Sequence, residues 1–335
     1  MHVGRSYKLK EFIIWTRRRT YQLILLGIIP VIIYEVIGWK WVNIPWTVVA
    51  LLGTATAFIV GFKNTQTYNR TQEAHQVWAT ILTNSRGWAI MCRDFIGDET
   101  ITKKLIRRHL AWVTALRFHM REARIWETTE YKHNVEYQSS YHVPEWETFM
   151  EDEILKYLEP AEAKVVLRKS NPATQILGMQ SRTITDVFEE EPGSMGKYIE
   201  MEKSIKEFFV LQGRSERIKD TPYPRQYSII NTFFVRLFCF LLPYGMLREF
   251  DDLNSVADGF MNGYMIWLVV PFSIIISWMY VSLEQVGEST ENPFEGGAND
   301  VPISQISRMI EIEMLEFLGE NDVPVQMQAQ NNILV

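Results

Sequence analysis

Cysteine is nearly missing from this chain. Only Cys92 and Cys239 occur in 335 residues, far apart and in segments of different character. Such a pair supports neither a disulfide framework nor a metal-ligand spacing, so both are expected as buried free thiols. Clustered basic charge is lacking too. The 34 Lys and Arg face 40 Asp and Glu, and the net charge of −6 argues against nucleic acid as a partner. There is no P-loop, no Rossmann glycine pattern, no HExxH pair and no nucleophile elbow, so an enzyme is not expected and no cofactor is implied. Glu130-x-x-His133 matches half of a di-iron helix motif, but it occurs once and without partners. His75, His109, His119 and His142 are scattered and expected at the surface or the core edge. No apolar run carries the regular Arg repeat of a voltage sensor. The opening MHVGRSYKLKEF is not a signal peptide, and the first apolar run has no small-residue cleavage site after it, so that run is expected to be retained.

Long apolar runs are what the chain does have. Hydrophobic residues make up 47% and charged residues 22%, too polar for a protein wholly in lipid and too apolar for a simple soluble domain. Residues 23–39 are just long enough to span a bilayer, with Pro30 expected to kink them and Glu35 near headgroup level. Residues 45–62 carry no charge over ~27 Å of helix, close to the bilayer's hydrocarbon thickness. Trp39, Trp41 and Trp46 cluster in the short connection, as at a membrane interface. Two further runs, 227–246 with Arg236 inside and 264–283 with Pro271, follow a long stretch of helical pattern without strand alternation. The expected fold is an all-α membrane protein with four transmembrane helices per subunit and a cytosolic helical domain. Its parts are a cytosolic segment 1–22, helices 1 and 2 in 23–62, the cytosolic domain 63–225, helices 3 and 4 in 226–284, and a cytosolic turn, helix and tail in 285–335. Arg5, Lys8, Lys10 and Arg17–Arg19 precede the first span, and Arg214, Arg217, Lys219 and Arg225 precede the third. The other two loops hold only Lys40 and Arg248. Positive charge therefore puts both termini in the cytoplasm.

Small residues at Ala50, Gly53, Thr54, Ala55, Thr56, Ala57 and Gly61 in the second run point to close helix packing. Thr54, Phe58 and Phe62 stand at i, i+4 and i+8 and share one face. Several copies around an axis would turn that face into stacked rings; the plain alternative is that both phenyl groups pack on neighbours or lipid. Arg236 is an ionisable residue inside a span and so a functional candidate, or else it snorkels to the cytosolic end or pairs with a neighbouring helix.

Three blocks carry a family resemblance. GFKNTQTYNRTQEAHQVWATILTNSR (61–86) resembles the signature that follows the second membrane helix of bestrophins, in its prokaryotic form. LLPYGM (241–246) and ENPFEGGANDVPI (291–303) match two further landmarks in the right order, and residues 90–190 match only in helical character. The resemblance implies a homopentameric ion channel in the lipid bilayer, with chloride or other small anions as the permeant ions. It puts Thr54, Phe58 and Phe62 on the pore neck and Ile199 on a cytosolic aperture. Five helices ~10 Å apart have axes ~8.5 Å from the centre. Subtracting a ~5 Å clad radius leaves an opening of ~3–4 Å, before the Phe rings narrow it. Prokaryote-like blocks without a transit peptide imply a bacterial inner (plasma) membrane. Animal members bind Ca²⁺ at an acidic cluster after Asn-Pro-Phe; the equivalent here offers only Glu295, Asn299 and Asp300, so no high-affinity calcium site and no calcium activation are expected. The alternatives are a monovalent-cation channel on the same scaffold and a non-conducting membrane scaffold or receptor.

Overall fold

A computed structural model describes the chain except residues 130, 132, 133, 136, 137, 190–192 and 256–261, and describes Leu9 by its backbone alone. The half di-iron motif at Glu130 and His133 therefore lies outside the described residues, as does Pro192. Ten α-helices are used below: α1 Leu9–Val31, α2 Trp46–Phe95, α3 Glu99–Arg121, α4 Met150–Leu155, α5 Pro160–Leu167, α6 Pro172–Glu189, α7 Met195–Asp220, α8 Arg225–Asp252, α9 Val269–Ser289 and α10 Ile303–Phe317. No strand occurs among the described residues. Four helical stretches are long and apolar enough to cross a membrane: Lys10–Val36, Lys40–Phe95, Arg225–Ser255 and Met265–Ser289.

Local chemistry sets the helix ends. Asp98 caps α3, its Oδ1 accepting from the amides of Thr100 (2.7 Å) and Ile101 (3.1 Å). Asn171 caps α6 by accepting from the Thr174 amide at 3.0 Å, and Pro172 fills the first helical position, where its missing N–H costs nothing. Asn171-Pro172 is thus the start of a helix. Distortion past Pro30 is a π-turn over Ile32–Val36, closed by the Ile37 amide on the Ile32 carbonyl at 3.1 Å. A proline cannot donate to the α ladder, and a widened turn is one way to absorb the missing bond.

α1, α8, α9 and the first half of α2 form one bundle. Its contacts are close. A Cβ added to Gly53 would stand 2.7 Å from the Phe238 ring, and one added to Gly245 would stand 2.7 Å from Val49 Cγ2. The Tyr280 hydroxyl donates to the Gly53 carbonyl at 3.0 Å, and the Trp278 indole to Thr16 Oγ1 at 3.0 Å. The second bundle packs α3 to α7 and α10 on the second half of α2. Trp78, Trp88, Trp112 and Phe208 are buried at its centre. His109, expected near the surface, is fully buried among them, because Ser85 Oγ meets its Nε2 at 2.8 Å and supplies the partner a buried imidazole needs. Burial pushes its pKa down to about 3. Cys92 and Cys239 are free and buried. The polar tail docks through two apolar anchors: Ile333 and Val335 are buried, the Gln305 amide donates to the Val335 carbonyl at 2.9 Å, and the Val3 amide to the Asn332 carbonyl at 2.8 Å.

Candidate functional site

α2 runs for 50 residues without a proline or a break, so one rigid rod belongs to both bundles. Neighbours cover one side of it and leave a broad face open, with one line of residues along the middle of that face. Thr54, Phe58 and Phe62 lie on that line, the phenyl groups 77% and 53% exposed, large values for rings so far from any chain end. At 100° per residue the same line continues through Thr65, Asn69, Gln72, Gln76, Thr80 and Thr83, and all of these are exposed within the chain. Not one carries a charge. Of these only Asn69 stands out in the sequence, as one of several polar residues that follow Phe62; the signal that marks the others is this uncharged, hydroxyl- and amide-bearing repeat at helical spacing. The Phe62 ring also meets Tyr227 of α8, with centroids 6.2 Å apart.

Charged residues after Phe62 turn away from the open line. Glu73 pairs with Arg217 at 2.5 Å and with Arg214 at 3.6 Å. Arg70 donates to the carbonyls of Ile218 and Thr221. Asn84 donates to Glu207 at 2.8 Å, and Arg86 grips Glu313 with two bonds of 2.7 and 2.6 Å. These residues tie α2 to α7 and α10. The Glu73–Arg217 and Asn84–Glu207 pairs also show that α7 runs antiparallel to α2. The Lys197 ammonium on the Phe95 carbonyl, at 3.4 Å, completes that ladder. Ile199, 43% exposed near the start of α7, is therefore level with the far end of α2, roughly 50 Å of helix from Phe62.

Arg236 is exposed on α8. It lines a polar cavity with Lys63 and Glu284 and lies off the open line of α2. Lys63, the residue after Phe62, is buried and pairs with buried Glu291 at 3.6 Å.

The acidic loop after α9 finds most of its hydrogen-bond partners within the chain. Glu295 Oε1 accepts from the Thr128 hydroxyl at 2.6 Å and Oε2 from the Thr128 amide at 2.8 Å. Asp300 Oδ2 accepts from the amides of Gly296 (2.8 Å) and Gly297 (2.9 Å). Asn299 turns elsewhere, accepting from Tyr7 at 2.9 Å and donating to Ser289 Oγ at 3.3 Å. Arg121, buried, donates to the Phe294 carbonyl at 3.0 Å. Burial raises the Glu295 carboxyl well above the usual range, and the neighbouring Asp300 charge adds to it. Burial raises Asp300 as well, opposed by the Arg121 guanidinium. Ca²⁺ needs ~6–8 oxygens. Three of the four carboxylate oxygens here are taken by N–H or O–H donors, so the set does not fit that ion. Among the described residues no group of three or more His, Cys, Asp or Glu could hold a metal ion.

Comparison with known proteins agrees with this architecture. The chain is 25% identical over 296 residues to the voltage-dependent anion channel-forming protein YneE of Escherichia coli K12, covering 88% of this chain and 82% of that one. It is 23% identical over 273 residues to a voltage-dependent anion channel-forming protein of Mesorhizobium japonicum, covering 81% of this chain and 74% of that one. A crystal structure of a bacterial bestrophin homolog from Klebsiella pneumoniae superposes with a TM-score of 0.75 at 24% identity, covering 91% of this chain and 99% of that one. The family described as "Bacterial/Fungal Bestrophin protein" matches residues 17–316, most of the chain, and the protein belongs to that family.

Proposed function

We propose that the protein is a homopentameric anion channel whose neck is made by Thr54, Phe58 and Phe62 of five α2 helices. The observation that carries this reading is the uncharged line along the middle of the open face of α2, phenyl-bearing at the membrane level and hydroxyl- and amide-bearing beyond it. Five such lines facing one axis make an apolar constriction that opens into a wet vestibule. A narrow apolar neck strips water from an ion and gates by dewetting. A phenyl ring has a partly positive edge and a negative face, so inward-pointing edges help an anion shed water and do not help a cation. Relatives named as anion channel-forming proteins support the same sign. Ile199 forms a second ring at the far end of the vestibule. Ala57 and Gly61, small and exposed beside the open line, let neighbouring α2 helices approach closely. Both termini and the second bundle face the cytoplasm of a bacterium, and the four spans cross its inner membrane. No reaction is catalysed. Calcium does not activate the channel, because three of the four carboxylate oxygens that would bind it already accept hydrogen bonds within the chain.

The test is flux through purified protein in liposomes, with reversal potentials read in a potassium chloride gradient. An anion-selective reversal is expected. A cation-selective reversal overturns the sign of the selectivity, and no flux at all overturns the channel. Phe58→Ala and Phe62→Ala should each raise chloride flux by about tenfold, the factor that ~1.4 kcal/mol off the barrier supplies.

A further inference from the structure

Two features on opposite flanks of α2 stand at one height. The first is a pocket of about 410 Å³ with aromatic walls: Tyr7, Phe12, Trp15, Tyr68 and Tyr141. Gln72 lines it as well and also stands on the open line, so the pocket borders that line. The second is Ile125, in the loop that follows α3. It is 100% exposed, and no other large apolar side chain among the described residues is as bare. The loop that carries it is held on both sides. The Arg124 guanidinium donates to Asp220 at 3.1 and 3.0 Å and to Glu122 at 2.9 Å. Arg225 donates to the Trp126 carbonyl at 2.7 Å, and buried Lys219 pairs with buried Glu127. An isoleucine is thus presented to water on a braced loop, forgoing all the burial its side chain could gain.

Bonds within the chain fix the relative positions. Arg70 of α2 donates to the carbonyls of Ile218 and Thr221. Asp220, which holds Arg124, lies between those two in α7 and its end. Tyr68 is two residues from Arg70, ~3 Å along the helix, so the Ile125 loop and the pocket share a level. Around α2 the same two residues point ~200° apart, with Tyr68 ~80° to one side of the open line and Arg70 ~120° to the other. The pocket and the loop therefore flank the open line from opposite sides. Ala57 and Gly61, small and exposed, stand on the Tyr68 side.

A ring closed about an axis that the open line faces is head to tail: each copy turns its Arg70 flank to the next copy's Tyr68 flank. We propose that Ile125 of each copy enters the aromatic pocket of the next, a knob and a socket repeated around the ring. The aromatic walls give an aliphatic side chain many close dispersion contacts, and Ala57 and Gly61 let the adjoining copy come near on the same flank. This rests on the ring of five α2 helices proposed above and adds the surfaces that close it.

Cross-linking tests it. Chains carrying both Ile125→Cys and Tyr68→Cys are treated in membranes with a short bis-maleimide and run on a denaturing gel; the native Cys92 and Cys239 are buried. A ladder of covalent multimers ending at five chains is expected, and none from Ile125→Cys alone. Ile125→Asp should lower the temperature at which the assembly dissociates, whereas Ile125→Leu should leave it unchanged. No ladder from a sample whose native mass is five chains overturns the knob and socket and leaves the ring standing. A native mass of one or two chains overturns both. Quenching of a fluorophore on Ile125→Cys by brominated acyl chains would put the loop in the bilayer and overturn the proposal as well.

Discussion

Ser85 donates to the Ile81 carbonyl of its own helix and meets the buried His109 imidazole on the next one. Ser85→Ala would strand the imidazole Nε2, and a loss of about 1–3 kcal/mol is expected in denaturant melts. A fully buried neutral His109 also has a pH signature. Its folded pKa, down to about 3, lies below the ordinary 6.5, so its contribution is complete above that value and falls as the solution is acidified towards 3. Glu295 has the opposite sign. Its folded carboxyl is raised from 4.5, so the folded state holds the proton longer than the unfolded one. Stability should therefore fall as pH rises from the ordinary carboxylate range into the raised one. Glu295→Gln, which keeps an oxygen for the Thr128 amide, should flatten that slope in melting temperatures taken across pH; an unchanged slope would show that Glu295 is ionised in the fold. Signals of this kind were not legible in the sequence. A histidine or a glutamate looks the same in a string whether a partner helix covers it or water does.

Helices show a different balance. Four spans, their order and the long polar extension of α2 follow from apolar runs and from the lack of proline between Trp46 and Phe95. Which small residue packs on what could not be read. Gly53 and Thr56 are buried within the chain, whereas Gly61 has nothing within 4 Å. Gly245 sits against Val49, a β-branched side chain with little freedom to move. Gly245→Ala should push α8 off α2 and cost about 1–3 kcal/mol, read as a lower melting temperature in detergent. Gly61→Ala should leave the fold of the single chain intact. If α2 helices abut one another there, it should lower the temperature at which the assembly dissociates, and an unchanged dissociation temperature would put some other face at that contact.

Across the whole molecule, one rod joins two bundles with different solvents. α2 packs its first half on α8 and α9 and its second on α3, α7 and α10. The end of that rod away from the membrane is level with Ile199 of α7. Native mass spectrometry of the detergent-purified protein should give five chains per particle. A monomer or dimer would leave the open line of α2 facing lipid, with no passage for ions.

The sequence by itself determined the helical class, the four spans, the phenyl line and the family, because apolar runs and helical spacing are local properties that need no partner to be seen. Tertiary structure alone decided which face of α2 stays open, which carboxylates are already satisfied and where Arg236 points. Those outcomes depend on which surfaces the other helices cover, and residues distant in the chain, such as Thr128 beside Glu295 or Val49 beside Gly245, settle them.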